Sequence, residues 1–283
     1  MDRIALDGIT LGDTFKQAGY ATGLIGKWHN GALDNRYHPN ARGFDEFYGF
    51  DGGWMDYFNW WVNRNGRRET ADGRYLTDAF TDEAVHFIQR HRQDSFLLCI
   101  MYNAPHSPLQ ATEEAVKPYL DAGMNPGVAV TYAMNEIMDQ GVGRIKEKLQ
   151  DLGLADDTIL MFTSDNGGAG YVGLADVNAP FRGWKITHFE GGIRVPLIVR
   201  WPNGKVPSGH VSKQPVVNHD FYPTFLEAAD IDPDPAQLLD GVSMLPILRK
   251  PDQARKREAL HWHYPLDKPH FLGGVSGGAI RVG

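Results

Sequence analysis

Four short stretches of this 283-residue chain combine residue types that fold stability alone does not ask for. In "GYATGLIGKWHNG" (19–31) an apolar run ends in Lys27 and His29. An ammonium is a point charge for an anion, and an imidazole moves protons near neutral pH. Residues two apart in extended backbone face one way, so Lys27 and His29 are expected to share a side. A surface lysine beside a core histidine would read the same. "NAPHSP" holds His106 between two prolines, which stiffen the backbone on either side of the ring; an ordinary turn histidine fits the pattern too. "TSDNGG" sets Asp165 beside Asn166, hard oxygen donors of the kind calcium or magnesium selects. Asp-Asn-Gly also ends strands as an Asx turn. Two donors fall short of the roughly six to eight that calcium takes, so a metal here needs ligands from elsewhere. Finally, "FRGWKITHFEGGIRVP" gathers Arg182, Lys185, His188, Glu190 and Arg194, either an anion site or a set of paired surface charges.

Alternating elements must position these groups. Leu11, Phe15 and Ala18 fall at helical spacing with Gly19 as the stop, and "ATGLIG" follows as a short strand. From Gly31 to Arg74 the pattern dissolves into glycine, asparagine and aromatic residues, including Trp54, Trp60 and Trp61, an irregular and elaborated loop region. Phe80, Ala84, Phe87 and Ile88 form the stripe of a second helix that Thr77 or Asp78 can cap. "SFLLCIMYNAPHSP" is an apolar strand broken at Pro105. Met134, Ile137, Met138, Val142, Ile145 and Leu149 mark one face of a long helix that Gly153 ends. "DDTILMFTSDNGG" and "VPLIVRWP" are strands, and "NHDFYPTFLEAADI" is a helix with Pro223 in its first turn. Apolar strands separated by amphipathic helices predict an α/β fold: a mainly parallel sheet with helices on both faces, read as one domain over residues 1–283. Ligands of such sheets bind beyond the carboxyl ends of the strands. Lys27 and His29, Asn103 and His106, and Ser164, Asp165 and Asn166 all stand at strand ends.

Composition narrows the partners. The net charge of −7 argues against nucleic acid, and the densest basic run, Arg249 to Arg257, reads as a solvated face. The single cysteine, Cys99, excludes an intrachain disulfide and fits a buried core position. No run approaches the ~20 apolar residues of a membrane span, and "MDRIALDGIT" lacks the basic start and apolar core of a signal peptide.

The order and combination of these motifs resemble the type I sulfatases, the arylsulfatase group of the alkaline-phosphatase-like superfamily. "GYATGLIGKWHNG" is similar to that family's G-Y-x-T-x-x-x-G-K-W-H-x-G signature, and "HPNARGFDEFYGF" to the segment that follows it. "NAPHSP" resembles its P-H-x-P histidine, "TILMFTSDNGG" its metal strand, and "RGWKITHFEGGIRVPLIVRWP" its K-x(4)-E-G-G-x-R-V-P block. "DFYPTFLEAADI", "LDGVSMLPIL" and "GGAIRVG" extend the match over nearly the whole chain. The resemblance implies hydrolysis of a sulfate monoester of a carbohydrate or aryl alcohol through a covalent sulfo-enzyme. It implies that Lys27 and His29 contact the nucleophile, and that Lys27, His106 and Lys185 bind the sulfate. His106 would protonate the leaving alcohol, His29 would act as base, and Asp165 and Asn166 would be two ligands of one calcium ion. It also implies export to the periplasm, the extracellular space or the lysosome.

The chain departs from the pattern at its beginning. The family nucleophile, a formylglycine made from cysteine or serine in a C/S-x-P-S-R motif, lies upstream of G-Y-x-T, as do two metal-binding aspartates. "MDRIALDGITLGDTFKQA" contains neither, so a chain truncated at both ends, and inactive in isolation, is the expectation. Two other functions use the same groups: phosphodiester or phosphonate hydrolysis within the superfamily, and anion or glycan binding by a relative without catalysis. A tryptophan of the 54–61 segment could stack on a sugar ring, or serve aromatic core packing. Sugar identity and sulfate position depend on loop shape rather than on a motif.

Overall fold

A computed structural model describes residues 3–253, 257–270 and 273–282. They gather into two compact units, the first comprising the chain to Ala155 with Ala229–Asp240, the second Asp156–Ala228 with the chain from Gly241. Among the described residues no helix is long and apolar enough to cross a membrane.

In the first unit, α1 (Leu11–Gln17) starts at a capping box: Thr10 accepts from the Asp13 amide, and Asp13 accepts from the Thr10 amide. Strand β1 (Ala21–Lys27) then pairs in parallel with both β2 (Glu46–Phe50) and β5 (Phe96–Met101). β3 (Trp61–Arg64) and β4 (Arg67–Thr70) extend the sheet antiparallel, giving the order β4-β3-β2-β1-β5. The expected α/β class with parallel strands at its centre is therefore present. The segment 31–74, expected to be irregular, instead contains three strands and two short 3-10 turns (Asn35–Tyr37 and Pro39–Arg42). Its overlooked signal is Asn65-Gly66, with φ of 49° and 91°, the two-residue hairpin turn whose positive dihedrals suit these two residues.

The sheet's two faces separate by strand alternation. On one, Ile25, Tyr48 and Phe50 pack with α2 (Leu76–Arg90) and α4 (Pro126–Asp151) through Phe80, Phe87, Ile88, Met134, Ile145 and Leu149. On the other, Leu24, Phe44 and Phe47 pack with Trp28, Leu97 and Cys99. Desolvation pushes the Cys99 thiol up to about 12, so it stays protonated, as a core cysteine should. The α2 cap differs from expectation: Tyr75 occupies the N-cap without a side-chain bond, and Thr77 is a buried helical residue. α3 (Glu113–Asp121), capped by Thr112, was not legible as a helix; α4 begins earlier than its apolar stripe, at Asn125 and Pro126.

In the second unit β6 (Leu160–Thr163) pairs antiparallel with β7 (Leu197–Arg200), and α5 (Glu190–Ile193) is a single turn between them. α6 (Phe221–Ala229) has Pro223 in its first turn as expected, α7 (Leu245–Arg249) is short, and β8 (Ala259–Tyr264) pairs with β9 (Gly277–Val282). Asp220, fully buried, accepts from the Val217 and Val242 amides and pairs with Arg257 through its two terminal guanidinium nitrogens, at 2.9 and 2.5 Å. The basic run read as a solvated face thus contributes structural groups. Arg257 neutralises a buried carboxylate, and Arg249 donates to the Gly204 carbonyl while lying over Trp201. Residues 254–256 of that run lie outside the described residues.

Candidate active site

Register sets the geometry of the first unit. Gly26 pairs with both Gly49 and Met101, so β1, β2 and β5 end at one level and the segments after them leave from one carboxyl edge. Lys27 is the last residue of β1 and is half-buried. Trp28 anchors the turn: its amide donates to Phe50 O, its indole donates to Tyr37 O at 2.8 Å, and its ring packs edge-on against Phe44. His29 has a left-handed backbone, φ 48°, so strand alternation does not carry from Lys27 to His29. Its place is set instead by Gly53, where a Cβ would stand 3.0 Å from His29 Cε1 and 3.1 Å from Nε2. Only a residue without a side chain lets the imidazole lie against this backbone.

His106 follows β5. Its amide donates to Asn103 O at 2.7 Å, Asn103 itself being buried, and its Nδ1 donates to Ser107 O at 2.8 Å. A carbonyl can only accept, so Nδ1 carries a hydrogen and proton exchange at this ring runs through Nε2. Two stacked tyrosines hold the 106–110 segment. Tyr57, fully buried, donates to His106 O at 3.0 Å, and Tyr75 donates to Gln110 O at 2.7 Å, with ring centroids 5.3 Å apart. The Gln110 side chain completes the clasp, accepting from the Tyr57 amide and donating to Asp56. Asp56 in turn accepts from the Phe58 and Asn59 amides. Burial favours its neutral form, but these donors win and hold its carboxyl below the usual range. Residues 53–60 therefore run from Gly53, which lies against His29, to a hydrogen-bonded stretch at 56–60 that supports His106. The tryptophans of this region divide by role. Trp60 is buried and donates to Arg74 O, Trp61 lies under Arg68, and Trp54 is 65% exposed.

In the second unit, Asp165 and Asn166 leave the end of β6. Ser164 donates to Asn166 O, and Asn166 Nδ2 donates to Gly167 O, orienting Oδ1 as the donor atom left to that side chain. Asn178 ties this turn to the lysine-bearing segment: it accepts from Gly168 N and donates to Gly168 O and Gly183 O, while Lys185 N donates to Gly168 O. Asp165, Asn166 and Lys185 are thus brought into one loop cluster, with Lys185 half-buried and Asp165 exposed. Arg182 lies over Phe189 and Arg194 over Phe181, and Arg194 pairs with Glu190, so both arginines are engaged locally. Among the described residues, no group of three or more His, Cys, Asp or Glu is arranged to hold a metal ion.

Sequence reasoning missed Tyr57, Tyr75, Gln110, Gly53 and Asn178. The tyrosines and Gln110 act on atoms 35 or more positions away, Gly53 matters only by the space it leaves for His29, and Asn178 binds backbone atoms of a loop, so no helix or strand period announces them.

A protein-family model described as Sulfatase matches residues 4–231. The chain is 35% identical to an uncharacterized sulfatase, YdeN, of Escherichia coli (strain K12), over 91% of this chain and 51% of that protein. It is also 35% identical to the N-acetylgalactosamine-6-sulfatase of Homo sapiens, over 84% of this chain and 48% of the relative. Among solved structures, Ps i-CgsB in complex with k-i-k-neocarrahexaose superposes with a TM-score of 0.85 at 33% identity, covering 92% of this chain and 61% of that one. The chain spans about half the length of the curated relatives it matches.

Proposed function

This chain belongs to the sulfatase family, and from that premise we propose that its chemistry is hydrolysis of a sulfate monoester of a carbohydrate. The observation that carries the reading is the joint departure of Lys27, His29 and His106 from one edge of three parallel strands, with Gly53 against His29 and Tyr57 donating to the His106 carbonyl. Two relatives support the substrate class by their own descriptions, an N-acetylgalactosamine-6-sulfatase and a protein crystallised with a neocarrahexaose.

The roles follow from residue chemistry. A sulfate monoester carries one negative charge, and breaking its S–O bond moves an electron pair onto the leaving oxygen. Lys27 offsets the charge of the sulfate oxygens, and His106, through Nε2, delivers a proton to the leaving alcohol. His29 is the base that takes a proton from the sulfated nucleophile when sulfate departs. In the second unit, Lys185 binds sulfate, and Asp165 and Asn166 supply hard oxygens to a calcium ion. When bound, a divalent cation stabilises negative charge on oxygen. Its two ligands here fit that chemistry without completing a site. Calcium titration of the complete gene product, with Asp165→Ala as control, tests this assignment; equal affinity in both proteins would remove it. Export is part of the same reading, and cell fractionation tests it.

The decisive experiment follows sulfate release by the complete gene product and its Lys27→Ala and His106→Ala variants. Each variant is expected to lose roughly 10²–10⁴-fold in kcat. The His106→Ala loss should be much smaller with 4-nitrophenyl sulfate, whose leaving group needs little protonation. Equal losses on both substrates would refute the acid role, and hydrolysis of phosphonate or phosphodiester substrates in preference to sulfates would refute the function.

A further inference from the structure

Trp54 is the least buried tryptophan of the aromatic segment that bridges the two histidines. Gly53, its neighbour, lies against the His29 imidazole, and Tyr57, three residues on, donates to the His106 carbonyl. Met55 and Tyr57, on either side of Asp56, are buried at 7% and 0%, while Trp54 between Gly53 and Met55 is 65% exposed. The chain that follows it is held. Gln110 and Asp56 tie the Tyr57, Phe58 and Asn59 amides, and the Tyr57 ring is stacked on Tyr75. An indole held outward on a braced segment differs from a singly scattered surface apolar residue, which needs no explanation. Burial of Met55 and Tyr57 and the tied amides of residues 57–59 order the chain next to Trp54 before any ligand arrives, and ordering of this kind lowers the entropic cost of binding.

We propose that Trp54 is a carbohydrate platform: its indole stacks on a pyranose ring of a sulfated sugar whose sulfate is held by Lys27 and His106. The inference rests on the sulfatase reading and adds to it the residue that recognises the sugar. The apolar C–H face of a pyranose matches the electron-rich face of an indole, while the hydroxyl groups at the ring's edge stay in water. Lys27, at the end of β1 beside Phe50, stands on the same strand edge as the segment that carries Trp54. The indole and the sulfate-binding groups therefore belong to segments that leave one edge of the sheet.

The test uses the complete gene product as wild type, Trp54→Ala, Trp54→Phe and Lys27→Ala. Calorimetric titrations use neocarrahexaose, its desulfated counterpart and inorganic sulfate. Trp54→Ala is expected to weaken both hexasaccharides by about tenfold and leave inorganic sulfate unchanged. Trp54→Phe should recover most of the loss, because a smaller aromatic face remains. Exposure of Trp54 means that the thermal midpoint should not move, which separates recognition from folding. Unchanged hexasaccharide affinity in Trp54→Ala overturns the platform, as does an equal loss for inorganic sulfate or the absence of any hexasaccharide binding by the wild type. If binding depends on Trp54 but Lys27→Ala leaves the preference for the sulfated over the desulfated sugar intact, the platform stands and the sulfatase reading fails.

Discussion

Removing the Tyr57 and Tyr75 hydroxyls one at a time and together measures how firmly the His106 segment is held. Tyr57 and Tyr75 stack at 5.3 Å, and their phenols donate to the carbonyls of His106 and Gln110, at the two ends of one five-residue stretch. Substitution by phenylalanine keeps the rings and their stacking, so each variant removes the bond from its phenol to the loop carbonyl and little packing. A hydrogen bond of this kind contributes about 1 kcal/mol, rising toward 3 where the abandoned carbonyl stays dry. One kilocalorie corresponds to about a fivefold rise in the equilibrium for local opening. The His106 amide donates to Asn103 O and reports that opening directly. Hydrogen exchange at His106 is therefore expected to accelerate about fivefold in Tyr57→Phe and less in Tyr75→Phe, which acts at the far end. Because both phenols restrain the same stretch, the second deletion should matter less after the first, with a coupling of about 0.5–1 kcal/mol. Kinetically, Tyr57→Phe should lower kcat on sulfated sugars more than it raises KM, since His106 is misplaced rather than removed. Unaltered His106 exchange in Tyr57→Phe, or strict additivity of the two substitutions, would show that the clasp does not position the histidine.

Other perturbations address the frame around the sites. Asp220→Ala and Arg257→Ala should each destabilise the second unit by about 3–5 kcal/mol, because either change strands a buried charge or its donors; urea denaturation costing under 1 kcal/mol would contradict the pairing. Gly53→Ala should displace the His29 ring, whose atoms stand about 3.0 Å from the new methyl, and move its ring-proton NMR resonances while leaving the far-UV spectrum unchanged. His91 provides a pH test. Burial lowers its affinity for a proton, but Glu46 and Asp94 outweigh burial and hold it above the usual histidine value. A raised value in the folded state means that this stabilisation is complete below the unfolded-state value and is lost as pH rises through the folded one. The wild type should therefore lose stability from pH 6 to 9 relative to His91→Gln, within the ~1 kcal/mol range of partly exposed pairs, and a constant difference between the two proteins across that range would refute it.

The parts legible in the sequence are those carried by local pattern. The helical spacing of α1, the apolar runs of β1, β5, β6 and β7, and the stripes of α2 and α4 are written in neighbouring residues, because helix and strand periods are local. Asn65-Gly66 was equally local and marks a hairpin that density of glycine and tryptophan concealed. The candidate groups Lys27, His29, His106, Asp165 and Asn166 drew notice because they follow apolar strands, and Lys185 because it lies in a charge-rich block before one. Arg257 shows the opposite failure. Within a run of charges nothing distinguishes a solvated arginine from one that neutralises a buried carboxylate 37 residues away.

The sequence by itself determined the α/β alternation, the family and the residue types available for sulfate chemistry, since these follow from composition, period and short motifs. The tertiary structure decided how they are held. Register between β1 and β5 brings the segments carrying Lys27 and His106 to one edge, a glycine at position 53 admits the His29 ring, and two stacked tyrosines fix the histidine loop. These are contacts between residues up to tens of positions apart, and only the closing of the chain on itself selects which hydroxyl meets which carbonyl. The same closure buried Trp60 and left Trp54 in solvent, although both stand in one aromatic stretch.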